Sequence, residues 1–360
     1  MLRNDYLSIL KPYTPPKSMT KEVHVSLPLN ISNEERSMYE PYANYAFSAV
    51  KVKKMKNVFV TFSGFCMNAK GLIKECHHNC SWQIEYYQNE ASTYYFNVID
   101  HPENLITLEN DRVYLAIHHP WFNYYHWISE SIFRLWMVRR QLDGLVLILP
   151  EYYKEADFIM GSLEPFGIKN MFYMPNGKSL QVKNLCLPQI KPVFDSYNAD
   201  HVKQVRSFYR DYVLLEKKIK VDNIDKLYIS REFATRRKVT NEEEILKIAR
   251  KYGFIIFHPE NHTFLEQVAT FSRVKYLVGT HGSGLTNLLF MEKGTSVLEL
   301  HKSRTNELDH PSPLFWYLAD ALGVHYYHQL CDTDGNEDYF EGDYIIDAVI
   351  FEKNLVRMLN

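Results

Sequence analysis

The sequence lacks an excess of charge of either sign. Its 360 residues include 41 Lys and Arg against 43 Asp and Glu, a net charge of −2. A protein that binds nucleic acid regardless of sequence needs an excess of cations to neutralise phosphates, so this class is excluded. The chain also has only 5 Cys, an odd number without a regular framework, which is typical of a reducing compartment.

Long apolar runs are missing too. No run approaches the roughly 20 residues that a membrane-spanning helix needs. The first residues, MLRND, lack the apolar core of a signal peptide. Apolar residues nevertheless make up 46% of the chain and charged residues 23%, so it can bury a sizeable core. The length suits two domains, and we expect a cytoplasmic two-domain protein.

The most informative stretch covers residues 274–300, VKYLVGTHGSGLTNLLFMEKGTSVLEL. An apolar strand ends at Gly279, a Gly-rich turn follows, and a helical run over 285–291 leads to a second strand over 297–300. This order is half of a nucleotide-binding α/β fold. Small residues let backbone N–H groups approach an anion, and a helix N-terminus adds partial positive charge. The stretch therefore predicts a phosphate-binding cradle.

The glycine spacing differs from the familiar phosphate motifs. It is G-x-x-G-x-G rather than the dinucleotide pattern G-x-G-x-x-G, and no Lys follows Gly284 as it would in a P-loop. His281 is the unusual member, because binding by backbone groups needs no imidazole. The alternative is an ordinary turn between strand and helix, in which His281 makes a local cap.

A second informative stretch covers residues 118–140, HHPWFNYYHWISESIFRLWMVRR. Asn123 is a suitable N-cap for a helix that continues to about residue 139. Apolar residues surround this helix, so we expect it to be buried. His126, Glu130 and Arg134 form one polar stripe, four residues apart. The stripe either lines a cleft or is a local Glu130–Arg134 network with a core histidine.

Aromatic residues around the start of this helix suit a sugar-binding wall. Aromatic faces stack on the C–H faces of pyranoses, while Tyr and Trp also offer a polar edge. The candidates for acceptor binding are Trp121, Asn123, Tyr124, Tyr125 and Trp127. For each aromatic residue, plain core packing is the alternative.

Basic residues follow the first predicted strand of the second domain, over 227–230. Arg231 comes directly after the strand, Arg237 lies in the same loop, and Asn241 opens a helix. Doubly wound sheets bind ligands beyond the carboxyl ends of their strands. Guanidinium groups there can form paired hydrogen bonds with a diphosphate. The alternative is a solvated run of charge.

Two other motifs are predicted to be surface loops and not metal sites. Residues 76–80, CHHNC, lack the second ligand pair of a structural zinc site, so we expect a polar hairpin loop. Residues 332–334, DTD, lie in an acidic loop, and Glu337 stands where a calcium loop requires Gly. No metal site is predicted.

The order of elements predicts an α/β fold in two parts. We expect a first domain over residues 1–195, a second over 196–330, and a tail over 331–360 that packs back. Residues 1–50 are rich in Pro and Tyr and are predicted to be an irregular arm. Short β-like runs follow, over 58–62, 94–98 and 113–117.

Three blocks of residues resemble glycosyltransferase family 61. The blocks are Asn123, His126, Trp127 and Glu130; then Ile229, Ser230, Arg231, Ala234, Arg237, Asn241 and Glu242; and finally Gly279, His281, Gly282, Gly284, Leu285, Thr286, Asn287 and Glu299. The last block is the most specific. Ser283 departs from the Ala that is common in the family. The family includes capsular-polysaccharide enzymes, plant xylosyltransferases and animal N-acetylglucosaminyltransferases.

The resemblance implies a GT-B architecture, with two Rossmann-like domains facing a cleft. It implies an inverting hexosyl- or pentosyltransferase that needs no metal or other cofactor. The donor would be a UDP-sugar and the acceptor an oligosaccharide or glycolipid, in surface or capsular polysaccharide synthesis. A bacterial or viral type fits the lack of a signal, with at most peripheral contact with the inner membrane. A homo-oligomer is left open.

The resemblance also implies roles for single residues. The nucleotide-sugar site would comprise Ser230, Arg231, Arg237, Asn241, His281, Gly282, Ser283, Gly284, Leu285, Thr286, Asn287 and Glu299. Arg231 and Arg237 would neutralise the leaving diphosphate, and Glu299 would hold the ribose hydroxyls. Glu130, with His126 beside it, would be the general base; the competing assignment makes His126 the base and Glu130 its orienting partner. The alternatives are a glycoside hydrolase, which needs two facing carboxylates, and a non-catalytic sugar- or nucleotide-binding module.

Overall fold

The computed structural model describes residues 20–304, 308–334 and 341–360, with the backbone alone for residues 20, 81 and 82. The chain divides into two compact units, both mixed α/β. Unit 1 comprises Met1–Lys21 and Ala46–Phe194, and unit 2 comprises Glu22–Tyr45 and Asp195–Asn360. None of the described helices is long and apolar enough to cross a membrane.

An eight-stranded sheet forms the centre of unit 1. Seven strands lie in the spatial order Gly71–Leu72, Cys66–Asn68, Val52–Val60, Ser179–Pro188, Val113–Ala116, Leu145–Pro150 and Met171–Met174; Leu105–Leu108 also pairs with Ser179–Pro188. The strand Ser179–Pro188 runs antiparallel to Val52–Val60 and parallel to Val113–Ala116. All six residues of Leu145–Pro150 are buried, as expected for an interior parallel strand.

The helices of unit 1 include one where a strand was predicted. The α-helices and the π-helix are Ser81–Asp100, Tyr124–His126, Trp127–Ser131 (π), Ile132–Val138 and Asp157–Leu163. The predicted strand over 94–98 was wrong, because these residues lie inside Ser81–Asp100. Ile84, Tyr87, Ala91, Tyr95 and Val98 recur at helical spacing and all contact the core. This period only becomes visible over the whole helix, and the short aromatic run concealed it.

Unit 2 is built on a six-stranded sheet. The spatial order is Ile255–Phe257, Lys226–Ile229, Tyr276–Thr280, Ser296–Lys302, His325–Thr333 and Tyr344–Ile345. The first five strands are parallel and the last is antiparallel. The α-helices that follow residue 195 are Ala199–Asp211, Glu242–Lys251, Phe264–Phe271, Leu314–Leu322 and Ala348–Leu359. The predicted helical run after the Gly-rich turn is a 3-10 helix, Ser283–Phe290.

The N-terminal and C-terminal segments differ from their predicted organisation. Residues 1–19 of the predicted arm lie outside the described part of the chain. Residues 22–45 belong to unit 2 and include the helix Arg36–Tyr39, so the arm does not continue irregularly to residue 50. The strand Thr20–His24 pairs with Asn44–Ser48. At the other end, Phe351 and Leu355 of the last helix are fully buried in the core of unit 2.

Candidate active site

The order in which strands are added to the sheet of unit 2 reverses between two neighbouring parallel strands. From Lys226–Ile229 the chain passes to Ile255–Phe257 on one side and then returns to Tyr276–Thr280 on the other side. Open α/β sheets bind ligands beyond the carboxyl ends of their strands at such a switch point. Here the two strand ends are followed by Arg231 and by the Gly-rich turn over residues 281–284.

Arg231 is anchored at the switch point by its own loop. Its Nε donates to the carbonyl oxygen of Arg237 at 2.6 Å, and Nη2 donates to the carbonyl oxygen of Arg236 at 2.8 Å. Its Nη1 lies beside Gly282, where an added Cβ would come within 2.9 Å of this nitrogen. Because two carbonyl groups hold the guanidinium, it cannot easily move away. The fold thus brings a fixed cation against the Gly-rich turn.

Arg237 is the second partly buried cation of this loop. Its backbone is left-handed, with φ of 54°, which is uncommon for a residue other than Gly and costs conformational energy. Burial lowers the pKa of both guanidinium groups, and the Arg237 charge lowers that of Arg231 further. Arginine stays charged even so. Two partly buried cations in one loop, of which Arg231 lies beside the Gly-rich turn, favour an anionic ligand.

His281 forms a close pair with Glu299. The His281 Nδ1 lies 2.6 Å from Glu299 Oε1, and the hydroxyl of Tyr326 donates to Glu299 Oε2 at 2.6 Å. Burial raises the pKa of the Glu299 carboxyl, but its histidine and tyrosine neighbours lower it by more. The Glu299 side chain is 0% exposed and that of His281 18% exposed. This geometry favours a role for Glu299 in orienting His281. It does not favour the predicted contact of Glu299 with the ribose hydroxyls.

Several other residues predicted to bind the nucleotide sugar are buried or bonded to other protein groups. Ser230, Leu285, Thr286 and Asn287 are buried. Asn287 donates to Gln267 Oε1 at 2.9 Å. The side chain of Asn241 bonds to both backbone polar groups of Ile346, at 2.8 Å and 3.1 Å. A Cβ added to Gly284 would lie 3.2 Å from Cγ2 of Ile229. Ser283 is half-buried in the turn.

In unit 1, a π-helix positions the predicted His126 and Glu130. Asn123 caps the preceding helix by accepting from the His126 backbone N–H at 3.0 Å. The π-helix then covers Trp127–Ser131; such insertions are rare and are frequent at functional sites. The His126 Nδ1 lies 2.8 Å from Glu130 Oε2. The His126 side chain is 10% exposed and that of Glu130 0%, so only the imidazole reaches the surface.

Sequence reasoning missed His78 as a member of this cluster. The His78 Nε2 lies 3.0 Å from Glu130 Oε1, and both side chains are fully buried. Residues 76–80 are therefore not a polar surface hairpin, and that prediction was wrong. Burial raises the pKa of the Glu130 carboxyl, but His78 and His126 hold it well below its usual value. The adjacent histidines of the motif were the available signal.

The third member of the predicted polar stripe has another role. Arg134 is buried and donates to the carbonyl oxygens of Ala116, Ile117, His118 and Pro188. These bonds join the helix Ile132–Val138 to the ends of two strands. The alternative of a local Glu130–Arg134 network is therefore wrong, because imidazoles hold the carboxylate and backbone carbonyl groups hold the guanidinium.

The predicted aromatic wall is partly core. Trp127 is buried and donates from Nε1 to Ser162 Oγ at 2.7 Å, and Tyr125 is also buried. Tyr124 packs against Phe158. Trp121 is half-buried, and its ring centroid lies 4.6 Å from that of His126. Trp121 is therefore the predicted aromatic residue best placed to meet a sugar beside His126.

A comparison with protein-family models finds one match within the chain. The model described as Glycosyltransferase 61 matches residues 124–298. The chain carries a glycosyltransferase family 61 domain. The matched range includes His126, Glu130, Arg231, Arg237 and His281. The family makes the protein a glycosyltransferase, which implies a sugar donor and a glycan acceptor. No curated protein is similar enough to the chain to count as a match.

Proposed function

We propose that this glycosyltransferase moves a sugar, with inversion, from a UDP-sugar to a hydroxyl group of a glycan. The observation that carries the proposal is the contact between Arg231 and Gly282 at the switch point of unit 2. A diphosphate leaving group gains negative charge as its bond to the sugar breaks. Fixed cations and backbone N–H groups aimed at that charge lower the barrier without reorganisation.

The same arrangement supports transfer without a metal at the diphosphate. Arg231 and Arg237 supply positive charge where other enzymes use a divalent cation. The described clusters of potential metal ligands are His78, His119 and Glu130, and His281, Glu299 and His301; Asp332 and Asp334 belong to neither. The choice of uridine as the nucleoside of the donor rests on the family resemblance.

The base in this proposal is His126, with Glu130 as its orienting partner. A carboxylate can only accept, so His126 Nδ1 carries the proton of the 2.8 Å bond. In the neutral form of the ring the opposite nitrogen, Nε2, has no proton and can take one from an acceptor hydroxyl. Glu130 is fully buried and directs both oxygens at histidines, so it is poorly placed to meet a substrate itself. The division of roles is that of a catalytic His–carboxylate pair.

Further parts of the proposal follow from the resemblance alone. They are a GT-B architecture, a cytoplasmic enzyme with at most peripheral membrane contact, and a role in surface or capsular polysaccharide synthesis. The acceptor would be an oligosaccharide or glycolipid. A crystal structure with UDP would test the architecture.

Two measurements test the core of the proposal. Calorimetry with UDP in excess EDTA should show binding; binding that disappears on chelation and returns with Mn²⁺ would contradict donor binding without a metal. Incubation with a panel of UDP-sugars and glycan acceptors should release UDP only when a matching acceptor is present. NMR of the product should then show the anomeric configuration opposite to that of the donor.

The two alternatives have distinct outcomes in the same assays. A hydrolase would release free sugar from glycans without any nucleotide, and a binding module would bind UDP without turnover. The family match supports transfer over both.

A further inference from the structure

Among the buried polar atoms without a hydrogen-bond partner in the described part of unit 1, three lie together: His78 Nε2, His119 Nε2 and Glu130 Oε1. One ligand atom from each of these three residues lies within 4.8 Å of the others. Orphaned buried polar atoms are costly and rare. We propose that these three side chains bind one divalent metal ion, and that the ion is Zn²⁺.

The hydrogen bond on the far side of His78 shows why a cation is needed. The His78 Nδ1 lies 2.8 Å from the carbonyl oxygen of Lys191. A carbonyl oxygen only accepts, so Nδ1 carries a proton, and in the neutral form of the ring Nε2 presents a lone pair. That lone pair lies 3.0 Å from a carboxylate oxygen of Glu130. Two acceptors at this distance repel each other unless a proton or a metal ion lies between them.

A metal ion satisfies more of the cluster than a proton does. A proton on His78 would pair it with Glu130 but would leave His119 Nε2 buried without a partner. The ligand atoms lie within 4.8 Å of one another, and ligands about 2.1 Å from one zinc ion are at most roughly 4.2 Å apart, so a small shift of the side chains brings them to zinc-binding distance.

The donor set and its outer contacts suit zinc. Two imidazoles with one carboxylate is a known zinc combination that leaves a fourth position open. Histidine ligands usually donate their other N–H to a carbonyl group, as His78 does to Lys191, and ligating carboxylates are themselves hydrogen-bonded, as Glu130 is to His126. Binding through His119 Nε2 would move its proton to Nδ1. The contact of Nδ1 with the Trp121 N–H, at 3.3 Å, would then be lost.

The corresponding cluster of unit 2 contains one buried atom without a hydrogen-bond partner, His301 Nδ1, but both oxygens of its carboxylate have partners. His281, Glu299 and His301 are also close together. Their 2.6 Å contact between His281 Nδ1 and Glu299 Oε1 is a good hydrogen bond, and Tyr326 donates to the second carboxylate oxygen. Protons satisfy this carboxylate completely. The site we propose is thus separate from the diphosphate cradle and does not depend on the donor being UDP.

Metal analysis of the untagged full-length chain tests the inference. Protein expressed with added Zn²⁺ and purified without chelator should hold about one zinc ion per chain by mass spectrometry. His78→Ala and Glu130→Gln should each lose most of it. His77→Ala changes the neighbouring buried histidine, and His301→Asn changes the unit 2 cluster; both should keep the metal. Wild-type protein without zinc, or His78→Ala with full zinc, would overturn the proposal.

A second measurement avoids variants that do not fold. Nitrogen NMR of the wild-type imidazoles, recorded after chelation and again with one equivalent of Zn²⁺, should show metal-bound Nε2 in two rings. A His78 ring that keeps protons on both nitrogens in the presence of excess Zn²⁺ would overturn the proposal in favour of an ion pair. UDP binding and sugar transfer are measured separately, so failure here is distinguishable from failure of the proposed function.

Discussion

Units 1 and 2 each contain a histidine paired with a fully buried glutamate, and the two pairs differ in their surroundings. His126 of unit 1 lies beside the ring of Trp121, whereas His281 of unit 2 follows the strand end beside the anchored Arg231. The second oxygen of Glu299 accepts from a neutral tyrosine, but that of Glu130 faces His78. We therefore propose different chemistry for the two pairs, because an aromatic neighbour suits a sugar and a cation suits a phosphate.

Of the substitutions at the two pairs, replacement of His126 should lower sugar transfer most severely. We expect His126→Ala to lower transfer roughly 10²- to 10⁴-fold, the range typical of a positioned general base. UDP affinity should stay unchanged, because the pair in unit 2 is intact. The control is His101→Ala, a largely exposed histidine of the same unit. Transfer at more than about a tenth of the normal rate would contradict the base assignment.

Arg237→Ala should have the next largest effect, on unit 2. Loss of one charge-stabilising group typically lowers turnover about 10²-fold, or roughly 2.7 kcal/mol. Arg236→Ala is a matched control, since that side chain is exposed and pairs with Glu341. Arg231→Ala is less suitable, because it also frees the two carbonyl groups that Arg231 holds. Equal turnover of the Arg237 and Arg236 variants would argue against a role for Arg237 at the diphosphate.

His281→Ala tests the role of the histidine–glutamate pair in unit 2. If His281 contacts the donor phosphates, the variant should bind UDP about tenfold more weakly, or roughly 1.4 kcal/mol. Calorimetry measures this directly. Unaltered UDP affinity together with abolished transfer would instead make His281 the base and reverse the roles of the two pairs.

Gly282→Ala tests the contact that carries the proposed function. The added Cβ would lie 2.9 Å from Arg231 Nη1, so the guanidinium must shift and UDP affinity should fall severalfold. Gly144→Ala is the matched control, because no atom lies within 4 Å of its added Cβ. Equal UDP affinity in the two variants would show that the position of Arg231 does not matter for the donor.

The smallest expected effect is a pH dependence of folding stability in unit 2. Burial lowers the pKa of His301 to about 3. The unfolded chain takes up this proton near pH 6.5, so between these values the unfolded state binds more protons and stability falls as the pH falls. Each pH unit below 6.5 lowers the free energy of unfolding by up to about 1.4 kcal/mol. Urea unfolding at pH 7 and 5.5 should show a smaller loss for His301→Gln than for the wild type.

Much of unit 2 was readable from the chain alone. The strand, Gly-rich turn and strand over residues 274–300 were predicted correctly, because apolar runs and glycines act locally. Arg231 was placed at a strand end for the same reason. The 3-10 form of Ser283–Phe290 was missed, since one hydrophobic pattern fits both kinds of short helix.

Tertiary structure decided which polar residues are exposed at the candidate site and which are buried. The sequence determined the α/β class, the Gly-rich turn and the spacing of His126 and Glu130. It did not reveal that His78 reaches Glu130 from 52 positions earlier in the chain, or that Arg134 binds backbone carbonyl groups. Periodicity shows the face of a helix on which a residue lies. It carries no information on the distant segment that packs there, and this segment sets the charge, tautomer and exposure of each functional group.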